Sequence, residues 1–208
     1  RTLTCDVLSV QLDGSNSSAG VEFKYSWTTN LGNIIGDPNS IAPFVDAGGI
    51  YTLQVLDTIN NCTATSSMTV LMDTIAPIPN PVASGILTCS LPEVLLSQGT
   101  SVGNNITEDW DIIAGTIAGT NAQGDLIIDA VGTFQLTLTN NDNGCMDSAS
   151  IMVTQNIVEP FADAGDDVVL DCEQTTATID GSNSSTGNDF IYQWTALAGN
   201  APGNSTTL

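Results

Sequence analysis

The chain has no histidine, only two basic residues (Arg1 and Lys24), and no continuous run of apolar residues long enough to cross a bilayer. Each shortage excludes something. Without histidine there is no His-based catalytic triad and no imidazole metal site. With 23 acidic residues against two basic ones the formal charge is −21. Such a chain repels nucleic acid and anionic lipid surfaces, so no nucleic-acid partner is expected. A spanning helix needs roughly 20 consecutive apolar residues, so no membrane insertion is expected either. None of the five cysteines forms a C-x-x-C pair, which argues against a thiolate zinc site. Charged residues are only 12% of the total. The polarity therefore comes mainly from Ser, Thr and Asn, as expected for turns and exposed strands rather than helices. No signal segment is visible, and the first residue is Arg rather than Met, so the chain is expected to be a piece of something longer or processed.

What is present is a repeat. The six residues DGSNSS occur at 13–18 and again at 180–185. Laid over each other without a gap, residues 5–33 and 172–200 agree at 14 of 29 positions, among them Cys5/Cys172, Tyr25/Tyr192 and Trp27/Trp194. That offset of 167 residues is about twice 83, and a middle copy fits between: Cys89 lies 84 after Cys5, and Trp110 lies 83 after Trp27. GIYTLQVLDTINNC (49–62) has its counterpart in GTFQLTLTNNDNGC (132–145). The middle copy has drifted, with SQGTSVG in place of DGSNSS.

Within a copy the apolar period is two. Val10 and Leu12 share a face, as do Phe23, Tyr25 and Trp27, then Tyr51, Leu53 and Val55, then Phe134, Leu136 and Leu138. Asp-Gly at 13–14 and 180–181, Asn-Gly at 143–144 and Gly48-Gly49 separate the runs as turns. The expected fold is all-β, a row of immunoglobulin-like β-sandwiches with about 83 residues per repeat. The expected boundaries are 1–74, 75–157 and, for the first part of a third copy, 158–208. The three tryptophans, Trp27, Trp110 and Trp194, are expected in cores. The third copy holds only the first strands of a sandwich, to be completed by more of the same chain or by another subunit.

DGSNSS followed by YSW and then GIYTLQVLD resembles the PKD-type immunoglobulin-like domain. The hairpin cysteine with NNCTATSSMTV around it is similar to tandem repeats of large secreted surface adhesins of Bacteroidota-type bacteria. The family's usual W-x-F-G-D-G continuation is replaced by WTTNLGN and WTALAGN. The resemblance implies a secreted or cell-surface setting and a role as spacer, stalk or adhesive array. The partners it implies are copies of the chain itself, end to end or as a filament, and surface glycans.

Cys5 and Cys62 are 57 residues apart, and Cys89 and Cys145 are 56 apart. Equal spacing in consecutive copies predicts one disulfide per repeat, Cys5–Cys62 and Cys89–Cys145, with Cys172 paired outside the segment. No catalytic residues are expected. The acidic group Glu108, Asp109 and Asp111 around Trp110 reads as a solvated strand edge rather than a carboxylate pair across a cleft. No cofactor is required. Calcium is the one candidate ion, with Asp163, Asp166, Asp167 and Asp171 as oxygen ligands at the entry to the third copy. Asp13 and Asp180 are expected to hold their own turns. The linker 74–85 carries Pro77, Pro79 and Pro81, which favour an extended path.

The triplets Asp57-Thr58-Ile59, Asp73-Thr74-Ile75 and Asp147-Ser148-Ala149 resemble the Asp-Ser/Thr-apolar O-glycosylation site of Bacteroidota-type secreted proteins, and the resemblance makes Thr58, Thr74 and Ser148 O-glycosylation candidates. N-x-S/T sequons stand at Asn16, Asn61, Asn105, Asn183 and Asn204, about as many as so Asn-, Ser- and Thr-rich a chain yields by chance. The functional expectation is a non-enzymatic extracellular structural or adhesive protein, a segment of a repetitive surface adhesin or filament. The alternative is the stalk or carbohydrate-binding module of a secreted hydrolase, which would need an exposed aromatic platform. Phe44, Trp110 and Phe161 are its candidates.

Overall fold

A computed structural model describes residues 1–198. The chain divides into two compact units, Arg1–Asn156 and Ile157–Leu208. The first unit is all strand and turn, and holds two sandwiches. Repeat one has β1 (Thr2–Leu3), β2 (Val10–Gln11), β3 (Phe23–Asn30), β4 (Ile34–Ile35), β5 (Phe44–Val45), β6 (Gly49–Asp57) and β7 (Thr63–Met72). One sheet has the order β1-β7-β6-β3 and the other β2-β5-β4. Between them lie Leu3, Leu12, Trp27, Val45, Tyr51, Leu53 and Val70. The alternation predicted for β6 is what aims Tyr51 and Leu53 inward. The indole Nε1 of Trp27 is buried without an acceptor, which costs about 1–3 kcal/mol.

Repeat two has β8 (Val82–Ala83), β9 (Leu87–Thr88), β10 (Val94–Ser97), β11 (Ile106–Ala114), β12 (Gly119–Thr120), β13 (Leu126–Ile128), β14 (Gly132–Asn140), β15 (Met146–Val153) and β16 (Gln155–Asn156). Its sheets are β11-β14-β15 and β12-β13-β10-β8, with β16 beside β9. Its core is separate from the first and contains Leu87, Val94, Leu96, Ile128, Phe134 and Val153. Trp110 is only half-buried against this core. It sits on β11, and part of its ring faces solvent. These are tandem immunoglobulin-like sandwiches.

Two parallel contacts fix the polarity of each repeat. β1 pairs in parallel with the far end of β7 (Leu3 opposite Met72), and β9 pairs in parallel with β16 (Thr88 opposite Asn156). The first-strand cysteine therefore leaves the sandwich at the end where its last strand finishes. The hairpin cysteine lies at the other end, just before that strand begins. Ten strand residues span roughly 30 Å, whereas a disulfide needs Cα atoms within about 7 Å. The expected pairs Cys5–Cys62 and Cys89–Cys145 are for this reason not formed. The bridge is Cys5–Cys145, with S–S 2.05 Å and 140 residues between its ends, and it joins repeat one to repeat two. Cys62, Cys89 and Cys172 are exposed thiols.

In the second unit the described residues form turns and no strand ladder. The alternating run 190–194, expected as a strand, corresponds to β3. In repeat one β3 pairs with β6, and the described residues of the second unit contain no paired run corresponding to β6.

Candidate functional site

The repeated turn shows first what the repeat preserves. Ser15 N–H donates to Asp13 Oδ1 at 3.0 Å, and Ser182 N–H donates to Asp180 Oδ1 at 2.9 Å. Ser17 N–H reaches Gly14 O and Ser184 N–H reaches Gly181 O, both at 2.9 Å. The Tyr25 hydroxyl donates to Ser18 O at 2.9 Å, and that of Tyr192 to Ser185 O at 2.8 Å. Hydrogen bonds from the Ser15 side chain and then its backbone N–H hold Asp13 below the ordinary carboxylate value. For Asp180 the backbone N–H of Ser182 contributes first and its hydroxyl second. The expectation that these aspartates hold their own turns agrees with this geometry.

The last two residues of the turn clamp the chain entering the repeat. In the second unit Asp163 N–H donates to Ser184 Oγ at 2.9 Å, and Ser184 Oγ donates to Asp163 O at 3.0 Å. Ser185 N–H donates to Phe161 O at 2.9 Å, and Phe161 N–H to Ser185 Oγ at 2.9 Å. The drifted turn of repeat two does the same at corresponding positions. Asn80 N–H donates to Ser101 Oγ at 2.8 Å. Ile78 and Val102 exchange backbone bonds of 2.8 and 2.9 Å. The linker at 78–80 is therefore tied down by hydrogen bonds as well as stiffened by its prolines. SQGTSVG is changed in letters but keeps the clamp.

The other half of the junction is the β14–β15 hairpin. Asn143, only 2% exposed, satisfies all its side-chain atoms there. Its Nδ2 donates to Asp73 Oδ1 at 2.9 Å and to Ile75 O at 3.0 Å, and its Oδ1 accepts from Cys145 N–H at 2.9 Å. Its backbone carbonyl accepts from Cys5 N–H at 3.0 Å. Gly144, at φ 72°, lies under Asp6, whose carboxylate a Cβ there would strike. Around the Cys5–Cys145 bond, then, groups from both ends of repeat one are fastened to one loop of repeat two. Closing 140 residues with a covalent bond removes unfolded-state freedom equivalent to about 5 kcal/mol in the chain-entropy model.

The remaining candidates fall elsewhere. Asp163 Oδ1 accepts from Gly165 N–H at 2.8 Å, and Asp171 Oδ1 from Glu173 and Gln174 N–H at 2.8 and 2.7 Å. Asp171 is held low by the Gln174 bond first and the Glu173 bond second. Among the described residues no three carboxylates or thiols come together as a metal-binding group, so Asp163, Asp166, Asp167 and Asp171 do not form one cluster. Glu108, Asp109 and Asp111 are exposed on β11. Thr58, Thr74 and Ser148 are exposed, although the Thr58 hydroxyl donates to Glu22 O at 2.8 Å. Asn16, Asn61, Asn105 and Asn183 are exposed, and Asn105 Nδ2 donates to Asp142 Oδ1 at 2.7 Å. Asn204 lies outside the described residues. Phe44 and Phe161 are 48% and 63% exposed and belong to different units.

No protein-family model and no curated protein matches the sequence. Solved structures with a similar arrangement of strands include three N-terminal domains of the bacteriophage RB49 Highly Immunogenic Outer Capsid protein. They are 18% identical, with a TM-score of 0.38, covering 78% of this chain and 57% of that one. Titin domains Z1Z2 in complex with telethonin are 12% identical with a TM-score of 0.26, covering 76% of this chain and 92% of that one. Protocadherin Gamma B7 extracellular cadherin domains 1–4 are 12% identical with a TM-score of 0.30, covering 83% and 56%. At these scores the likeness is of strand arrangement alone.

Proposed function

We propose that this chain is a segment of a non-enzymatic extracellular structural or adhesive protein, a cell-surface adhesin or filament built from PKD-type repeats of about 83 residues. The repeats run near 1–74, 75–157 and 158–208. The observation that carries this reading is the junction at Cys5–Cys145. A disulfide persists in oxidising compartments, which points outside the cytosol. Its position points to a mechanical task. The bond joins no two strands of the same sandwich and instead fixes one sandwich to the next, with the buried Asn143 and the Ser101 clamp beside the same junction. A protein that must keep its domains in register under load needs such a joint; a tether that lets a binding module search does not. The charge of −21 keeps such an array soluble and self-repelling along its sides. The rival stalk or carbohydrate-module reading calls for an aromatic platform, and Trp110 is half-buried against its own core.

Electron microscopy of native material tests the proposal. Straight rods or filaments that bend at regular intervals after mild reduction are expected. Compact single particles, or rods whose shape is indifferent to reductant, would return the reading to a stalk.

A further inference from the structure

Repeat one carries the same joint hardware as repeat two, but its hairpin thiol Cys62 is free. In hairpin 57–62, Asp57 N–H donates to Cys62 O at 2.9 Å and Asn61 N–H to Asp57 O at 2.8 Å; in hairpin 140–145 the matching bonds, Asn140 to Cys145 and Gly144 to Asn140, are 2.8 Å each. Cys62 N–H donates to Asn60 Oδ1 at 2.8 Å, as Cys145 N–H does to Asn143 Oδ1 at 2.9 Å. Asn61 holds φ 58° where Gly144 holds 72°. The loop that receives Cys5 in repeat two is thus already built in repeat one.

The other half of the joint is duplicated too. Cys5 sits in a turn closed by Thr4 N–H to Val7 O at 3.1 Å and Val7 N–H to Thr4 Oγ1 at 3.1 Å. Cys89 sits in the same turn, closed by Thr88 N–H to Leu91 O at 2.9 Å and Leu91 N–H to Thr88 Oγ1 at 2.9 Å. Among the described residues the chain therefore presents one free thiol of the receiving kind, Cys62, and two of the inserting kind, Cys89 and Cys172. Beside Cys62 runs a groove of about 570 Å³ that reaches Ser17 and Ser18, the residues corresponding to the clamp of repeat two.

We propose that the Cys62 hairpin of repeat one is a socket for the Cys89 turn of a second copy of this chain, sealed by a Cys62–Cys89 disulfide. Size complementarity favours Cys89 over Cys172 as the inserting thiol. Asp6 packs against a residue with no side chain, Gly144; the socket has Asn61 there, which suits the small Ser90 after Cys89 better than the Glu173 after Cys172. The chemistry is thiol–disulfide exchange with glutathione disulfide as oxidant. One cysteine thiolate attacks it and expels a glutathione thiolate. The second cysteine attacks the mixed disulfide and expels the other. Two cysteine sulfurs are oxidised, one glutathione disulfide is reduced to two glutathiones, and the cysteine protons end on the glutathiones. This deepens the structural reading above and rests on it for biological meaning, but the pairing itself is testable in purified protein wherever the protein works.

The test mixes ¹⁵N-labelled and unlabelled 208-residue chain, oxidises it with glutathione disulfide, and maps linkages after digestion at acidic residues. The expected result is a non-reducing ladder of multimers that collapses on reduction. Its dominant linkage is Cys62–Cys89 with the two halves from different chains, and Cys5–Cys145 stays within each chain. Cys62→Ser and Cys89→Ser, both at exposed positions, should each abolish the ladder, while Cys172→Ser leaves it. Three results would overturn the proposal: predominant Cys62–Cys62 or Cys172 linkages, a Cys62–Cys89 bond within a single chain, or free cysteines that end only as glutathione adducts. Any of them would still leave the rod test of the proposed function standing.

Discussion

Two hairpins with one backbone meet different fates. At 140–145 the hairpin is covered: Asn143 is buried, Gly144 lies under Asp6, and Cys145 is bonded. At 57–62 the equivalent Asn60, Asn61 and Cys62 are exposed. Since the loop geometry is common to both, it comes from the local sequence. An asparagine two residues before the cysteine accepts the cysteine's N–H, and a residue tolerant of positive φ lies between them. Only the surroundings differ. The receiving loop is therefore prefabricated in both repeats.

The largest test of that comparison is to cut the covered joint. Cys5→Ser or Cys145→Ser should lower the stability of the first unit by up to about 5 kcal/mol, and denaturant unfolding should separate into two transitions, one per sandwich. Cys62→Ser should leave unfolding unchanged. A single unshifted transition after loss of Cys5 would mean that the bond adds nothing to the coupling.

Next is the asparagine pair. Asn143→Ala removes the partner of the buried Cys145 N–H and the bonds to Asp73 Oδ1 and Ile75 O, at a cost of about 2–3 kcal/mol. Asn60→Ala loses one exposed bond and should cost less than about 1 kcal/mol. Equal costs in chemical denaturation would contradict the claim that their surroundings differ.

The clamp gives a smaller contrast. Ser101→Ala removes the acceptor for Asn80 N–H and should cost about 1 kcal/mol. Ser17→Ala, at the matching position of repeat one, should be neutral in thermal melts. Last come the turn aspartates. Asp13 and Asp180 have lowered folded pKa values. Their contribution is complete above the ordinary value of 3.8 and is lost as pH falls through the folded value. Melts of Asp13→Ala and Asp180→Ala should differ from the parent at neutral pH and converge with it in strong acid. A difference that persists undiminished in strong acid would show that the carboxylates act through something other than their charge.

The fold was legible because alternation and the 83-residue period are written along the whole chain: Tyr51 and Leu53, or Phe134, Leu136 and Leu138, point inward as their spacing says. The cysteine pairing was not legible. Equal spacings of 57 and 56 residues fit a bond inside each repeat and a bond between neighbours equally well. What decides is which end of β7 the first strand joins, and that is a property of the sheet. The clamp could have been found in advance, since Ser101 and Ser184 align at an offset of 83. The drift of DGSNSS to SQGTSVG hid it: the alignment of letters fails where the hydrogen-bonding role survives. Periodicity alone did not reveal that Trp110 is only half-buried while Trp27, on an edge strand of the same kind, is buried.

The Cys5–Cys145 bond also reroutes tension. When the first unit is stretched from Arg1 and Asn156, the pull enters at Cys5, crosses the two sulfur atoms and leaves at Cys145. The intervening chain, 140 residues by separation, is a slack loop outside the path of the force. That loop contains nearly all of both sandwiches and the whole linker, a contour length of roughly 480 Å if drawn straight. Pulling cannot unspool it while the sulfurs stay joined, and a protease nick in the linker would not part the two repeats. The extensibility of this stretch is set by a redox state, and a reductant would turn a short inextensible strap into a long one.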